Sequence, residues 1–336
     1  MKTSVLALLG LAVFGQPVFA WPRVVFDRAL VEAAKKESKL VLYSTMDLPH
    51  NIMVMRDFFE KYPFLDLEVH PLETETLIKR VQDEALSDAP YGDIFLGGGG
   101  VFQSLVNDRL VVSYHSPQRN AVSGPFTDSE GYWAGYYINP IVLGYSTAVI
   151  KEEEIPRSFE SLIESRWKDR RIAIDSTAYG LLWGLGSTWG DEKAIAYLKR
   201  LAAQHPVMAR ASIAAVDSLH LGNVSMVIAR APVISSYKDK FGSPIKWIFL
   251  DPTIAQVETV MLSARSPRPN AARLFADFIL SRQGQTALSS ILQIPVRKDM
   301  APNAMAQGHT WFIERPARRF DFQQTVRLFR EIFGIQ

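Results

Sequence analysis

Residues 39–71 read KLVLYSTMDLPHNIMVMRDFFEKYPFLDLEVHP, and this stretch decides the fold. Lys39 to Ser44 is a short apolar run with the continuous hydrophobicity of a strand buried on both faces. Ile52, Met55, Phe58, Phe59 and Tyr62 then recur at helical spacing until Pro63 stops the helix. Leu67 to His70 forms a second strand. Strand, helix and strand in this order predict a βαβ unit on a parallel sheet.

The alternation continues outward. Glu73 to Leu86 is predicted helical, and Asp93 to Leu96 is a strand that runs into four glycines, Gly97 to Gly100. Trp133 to Ser146 is a long extended stretch broken only by Pro140, as a strand crossing between lobes would be. A second set of units follows: a helix over Phe159 to Trp167, a strand over Arg171 to Ile174, a helix opening at Asp175–Ser176–Thr177 and another over Glu192 to Ala203. Beyond them come a strand around Val207 to Ala209, a helix over Ile213 to Leu219 and a strand over Val224 to Ala229. Strands at Ile245 to Leu250 and Val257 to Ser263 carry the chain back, and helices over Ala271 to Leu280 and Gln283 to Ile291 complete the pattern.

Met1 to Ala20 has a basic start at Lys2, an apolar core from Val5 to Phe14 and a small-residue cleavage box at Val18–Phe19–Ala20, the pattern of a cleaved secretory signal. The expectation is an exported protein without a membrane-spanning segment, since no later stretch reaches the roughly 20 apolar residues a membrane helix needs. The absence of Cys leaves neither a lipid-anchoring thiol nor a disulfide framework. A formal net charge of +2 in 336 residues carries no electrostatic footprint for nucleic acid or anionic lipid. The local exception, Arg315, Arg318 and Arg319, reads as a basic patch or a solvated surface.

The segments AAKKESKLVLYSTMD (33–47), FFEKYPFLDLEVHPLETETLIKRVQDE (58–84), GDIFLGGGGVFQSLVNDRLV (92–111), RWKDRRIAIDSTAYG (166–180) and ARLFADFILSRQGQTAL (272–288) resemble, in order and spacing, the type II periplasmic binding proteins of the iron-binding-like family. The resemblance implies two doubly wound α/β lobes joined by crossing strands, a small-molecule solute in the cleft between them, and delivery to an inner-membrane ABC permease. The expected division is residues 21–135 with 256–300 in the first lobe and 136–255 in the second. The C-terminal helical segment, 301–336, has no assigned lobe, and the protein is expected to be monomeric. Ferric-ion branches of the family resemble one another in a tandem Tyr after the strand that corresponds to Val224 to Ala229; here Ala231 and Pro232 stand there. Neither can donate oxygen to a hard cation. The expectation is therefore an organic ligand, of the kind taken by binders of phosphonates, sugar phosphates, polyamines or related solutes, with no metal and no cofactor; the arginines and the Ser176–Thr177 turn taken up below favour an anion. A ferric carrier and a ligand sensor for a membrane kinase stand as alternatives.

Ligands of open α/β sheets sit at the carboxyl ends of strands. That rule selects Tyr43, Ser44 and Thr45 after the first strand, where a buried Tyr with a Ser or Thr cap is an equal reading. It also selects Gly98 and Gly99, whose backbone can approach a ligand closely. Ser176 and Thr177 offer hydroxyls at an expected helix N-terminus, an anion site in its own right, while Asp175 reads as the cap. Arg230 and Arg210 end strands and can fork onto an acidic group, with Ser212 beside them. Tyr137, with Tyr136 and Asn139, lies on the crossing strand, where alternation would turn neighbouring side chains to opposite faces. An enzyme is not expected: no Cys nucleophile, GxSxG elbow or Ser, His and Asp set stands out, and the six His show no metal-ligand spacing.

Overall fold

Five of the six residues of Lys39–Ser44 are buried, because this strand takes a parallel partner on each side and helices cover both faces. The structure is a computed structural model, and it describes residues 27–87, 92–122, 124–169, 171–300, 310–314 and 321–335. The expected signal segment 1–20 and the Arg315, Arg318 and Arg319 cluster lie outside the described residues.

In chain order the elements are α1 (Arg28–Glu37), β1 (Lys39–Ser44), α2 (Leu48–Lys61), β2 (Asp66–Pro71), α3 (Thr74–Ala85), β3 (Ile94–Gly98), α4 (Gln103–Asn107), β4 (Val111–Val112) and β5 (Ala134–Ser146). They continue with β6 (Ile172–Asp175), α5 (Gly180–Trp189), α6 (Asp191–Ala202), β7 (Val207–Ala209), α7 (Ala211–His220), β8 (Met226–Arg230), α8 (Ala231–Phe241) and β9 (Ile245–Ile248). Last come β10 (Thr253–Ser263), α9 (Pro269–Leu280), α10 (Arg282–Ser290), β11 (Ile294–Pro295), β12 (Trp311–Glu314) and α11 (Phe322–Phe333).

The main path of the sheet runs β2-β1-β3-β10-β5-β8-β6-β7. Each end is parallel, β2-β1-β3 on one side and β8-β6-β7 on the other. The two antiparallel strands β10 and β5 join them. The first half of β5 pairs with β10, and its second half with β8 and β9. Likewise β10 pairs with β12 through Thr253–Gln256 and with β3 through Glu258–Leu262.

Burial divides along the same line. One apolar cluster gathers Leu42, Phe58, Phe95, Ile138, Val257, Phe275 and Phe278, with the Phe58 ring 5.1 Å from Phe275 and 5.2 Å from Phe278. Fully burying such a side chain contributes about 1.5–3 kcal/mol. On the other side, Leu143, Ile174 and Ile228 join one cluster, and their strand neighbours Val142, Ala173 and Val227 join another. This is the two-residue period of a sheet covered on both faces. The core changes between Ile138 and Ile141 on β5 and between Ile254 and Ala255 on β10. The molecule is thus a mixed α/β protein of two lobes joined by crossing strands. Helix α11 packs against α5 and α6, with Phe329 fully buried in the cluster that contains Ile174.

Two expected helices differ in detail. Phe159 to Trp167 is not one helix but two short 3-10 turns, Glu160–Ile163 and Ser165–Trp167, separated by an extended Glu164. Phe159, Leu162 and Trp167 are its buried anchors, and their spacing of three and then five residues fits no continuous helical face. Ile52 is 56% exposed, because α2 turns Asn51, Val54, Met55 and Phe58 inward instead.

Candidate functional site

Arg230 is the last residue of β8 and lies where both lobes meet. Its guanidinium donates to the Asn139 carbonyl oxygen on β5 at 2.8 Å and to Gln256 Oε1 on β10 at 2.9 Å. Both acceptors are neutral, and among the described residues no carboxylate lies within ion-pair distance of it. The Arg230 backbone N–H donates to Ser212 Oγ at 3.2 Å, and Ser212 Oγ donates to Asp175 Oδ2 at 2.5 Å. Asp175 Oδ1 in turn accepts from the Thr177 N–H at 2.8 Å and the Thr177 hydroxyl at 2.7 Å. Two strand ends, Asp175 and Arg230, are therefore tied with Thr177 and Ser212 into one chain of hydrogen bonds running from β6 through α7 to β8.

Asp175 caps no helix. It closes a tight turn by accepting from Thr177, while Ser176 N–H goes to the Ala209 carbonyl, and α5 starts only at Gly180. The local side-chain bond to Asp175 competes with the helix and delays it by a turn. The expected helix N-terminus at Ser176 is therefore absent.

On the other side of Arg230, Glu258 of β10 stands opposite Tyr137 of β5, and the pairing register slips between Glu258 and Thr259. Tyr136 is the extra residue of this bulge. Strict alternation would separate Tyr136 from Tyr137. The bulge instead brings their rings into edge-to-face contact, with centroids 4.8 Å apart, and both are buried. Glu258 is 5% exposed, and its Oε2 has no hydrogen-bond partner among the described residues. Burial pushes its carboxyl up to about 7, Arg230 pulling down and Glu314 pushing up. Burial, reinforced by Glu258, also holds both tyrosines well above the usual phenol range.

Gly98 lies beside the same carboxylate. A Cβ at Gly98 would collide with the Val257 carbonyl oxygen and come within 2.9 Å of Glu258 Oε2. Gly99 has φ +79°, a left-handed conformation that favours glycine. Facing these glycines is Glu314, the last residue of β12, which is 8% exposed. Its Oε1 accepts from the Gly100 N–H at a long 3.4 Å. Burial raises the Glu314 carboxyl, while Arg230 and the Gly100 N–H oppose the rise.

The structure brings Arg230, Ser212, Thr177, Tyr137, Gly98 and Gly99 to the seam between the lobes. It does not bring Tyr43 there: the Tyr43 hydroxyl donates to Glu84 of α3 at 2.7 Å, and Arg80 lies over the ring at 4.4 Å. Ser44 is fully buried, its Oγ accepting from the Met46 N–H at 3.2 Å. Thr45 N–H donates to the Leu96 carbonyl. Ser176 is half-buried beside Thr177, and Arg210 is exposed ahead of α7. Sequence reasoning missed Glu258, Gln256 and Glu314. A carboxylate inside the apolar run QVETVML was the available signal for Glu258; Glu314 meets its partner 214 residues away in sequence and left no local sign.

Among the described residues no group of three His, Cys, Asp or Glu could hold a metal ion, and no helix is long and apolar enough to cross a membrane. A cavity of about 330 Å³ is lined by Ser235 and Lys238 of α8, Lys246 and Trp247 of β9, and Leu292, which follows α10 in the first lobe. None of the seam residues borders it, and it belongs to neither crossing strand.

Known structures match this fold over most of its length. Iron-bound HitA from Pseudomonas aeruginosa superposes with a TM-score of 0.73 at 19% identity, over 88% of this chain and 99% of that one. The substrate-binding protein of an ABC transporter from Agrobacterium tumefaciens gives 0.73 at 14% identity, over 90% and 96%. The periplasmic binding protein AfuA from Actinobacillus pleuropneumoniae, with fructose-6-phosphate bound, gives 0.65 at 19% identity, over 88% and 96%. No curated protein matches by sequence. The sequence profile of the bacterial extracellular solute-binding proteins matches residues 89–312, two-thirds of the chain, and with the two-lobed fold this makes the chain a member of that family.

Proposed function

We propose that the chain captures a small anionic solute, a phosphonate, phosphate ester or carboxylate, between its lobes and delivers it to an inner-membrane ABC permease without transforming it. The observation that carries this reading is Arg230. Its charge stands between both lobes, held in place by two neutral oxygens, so the guanidinium is oriented and uncompensated by a direct ion pair. An acidic group reaching it gains a charge-assisted bond, and contacts from both lobes favour the closed form. Ser212, Thr177 and the Gly98–Gly99 backbone complete the proposed contacts.

Two kinds of cargo occur among the similar structures, iron in HitA and fructose-6-phosphate in AfuA. Ala231 and Pro232, which form the first turn of α8, offer no phenolate, and this supports the organic cargo. The reading includes removal of residues 1–20 on export to the periplasm, a monomeric mature protein, and lobes divided as 21–135 with 256–300 and 136–255. A thermal-shift series with inorganic phosphate, methylphosphonate, fructose 6-phosphate, citrate, spermidine and ferric ion tests the ligand class. The expected result is a rise in melting temperature with at least one anion and none with spermidine. A rise with ferric ion alone, accompanied by a visible absorption band, would overturn it.

A further inference from the structure

Glu314 is placed as a ligand would be. Its carboxylate lies between the glycine turn after β3 in one lobe and the first turn of α5 in the other. On one side, Oε1 accepts from the Gly100 N–H and lies 2.8 Å from where a Cβ of Gly99 would stand. Across the seam, Oε2 lies 2.6 Å from where a Cβ of Gly180 would stand. Any larger residue at either position would push the carboxylate out, so both lobes shape a space that this one acidic group fills. Backbone N–H groups at a glycine turn are an anion-binding arrangement. Here the anion comes from the protein.

The element that carries Glu314 is short. β12 pairs with β10 over four register positions, from Thr253 opposite Trp311 to Gln256 opposite Glu314. Gln256 is also the residue that accepts from Arg230. The end of β12 and the guanidinium thus share one support. A second observation marks the place as a ligand site: Glu258 Oε2, nine-tenths buried beside Gly98, is left without a hydrogen-bond partner among the described residues.

We propose that Glu314 is a built-in competitor: its carboxylate holds the anion position of the unliganded cleft, and an incoming acidic solute must displace the Glu314 end of β12 to bind. This rests on the anionic-solute reading above. Capture is then coupled to release of β12 from β10. The affinity is set by the difference between two anions competing for one place, and a weak or fragmentary solute loses to the internal one. The contact keeps the site from standing empty while the lobes are together.

The test compares the full mature chain with its Glu314→Gln variant, which keeps size and removes charge, using inorganic phosphate in calorimetric titration. Hydrogen exchange of the β12 amides is followed with and without saturating phosphate. The expected result is phosphate affinity at least tenfold higher in Glu314→Gln, and faster exchange at Phe312 to Glu314 in the wild-type chain once phosphate is bound. Equal or weaker phosphate binding by the variant would overturn the competition, as would unchanged β12 exchange at saturation, while leaving the anionic-solute reading intact. Phosphate binding by neither protein would overturn the competition as well, while the anionic-solute reading is decided by the thermal-shift series. Binding by the variant alone would be the strongest support.

Discussion

The two lobes end their parallel strands in similar polar residues and use them differently. In the first lobe, the polar groups at the end of β1 turn into their own lobe: Tyr43 bonds Glu84 under Arg80, and Ser44 closes a turn. In the second, Asp175, Ser212 and Arg230 are strung together and run to the seam, reaching Asn139 and Gln256 on the two crossing strands. The lesson is that a strand end offers a position but not a direction. What decides is which neighbour satisfies the polar atoms first. The first lobe has a helix with its own acid and base, Glu84 and Arg80, within reach of Tyr43; among the described residues the second gives the guanidinium of its arginine only neutral oxygens to hydrogen-bond.

This contrast can be broken in three places, beginning with the largest effect. Glu258 holds its proton up to about pH 7 in the folded chain, whereas an unfolded glutamate releases it near the usual carboxylate value. Between those two pH values the folded state binds more protons, so stability must fall as pH rises, by about 3 kcal/mol over the window. Denaturant unfolding at pH 5 and pH 8 is expected to show this loss in the wild-type chain and most of it gone in Glu258→Gln. A variant that keeps the full slope would show that Glu258 is not the group responsible. Next, Arg230→Ala should weaken phosphate binding by tenfold or more, about 1.5–3 kcal/mol for a lost charge-assisted bond, as read by calorimetric titration. The smallest effect belongs to the other lobe: Tyr43→Phe should cost about 1 kcal/mol of stability through the lost bond to Glu84 and leave phosphate affinity unchanged. Equal losses of affinity in Arg230→Ala and Tyr43→Phe would erase the distinction between the lobes.

What the sequence disclosed follows the same physical line. β1, α2 and α9 were legible because burial imposes a period or an unbroken apolar run on neighbouring residues. The crossing role of β5 was legible from its length and its run of Tyr, Ile and Val. Arg230 could be found because it ends a buried strand. The turn at Asp175 was misread because an Asp before Ser and Thr is equally a helix cap and a local turn, and the bond to Thr177 settled it. The contact of Tyr136 with Tyr137 was hidden by a single inserted residue that only the register with β10 reveals. Glu314 depends on a glycine turn more than two hundred residues earlier, so nothing near it in the chain announces its role.

The joint between the halves has a mechanical consequence. The crossing strands β5 and β10 are hydrogen-bonded to each other over most of their length, with one bulge where they pass Glu258. Relative rotation of the halves therefore twists this two-stranded ribbon. The inserted residue is the natural place for that torsion to gather. A protease acting on the native molecule would meet no open peptide there, and a single cut in either strand would still leave the other to hold the halves in register.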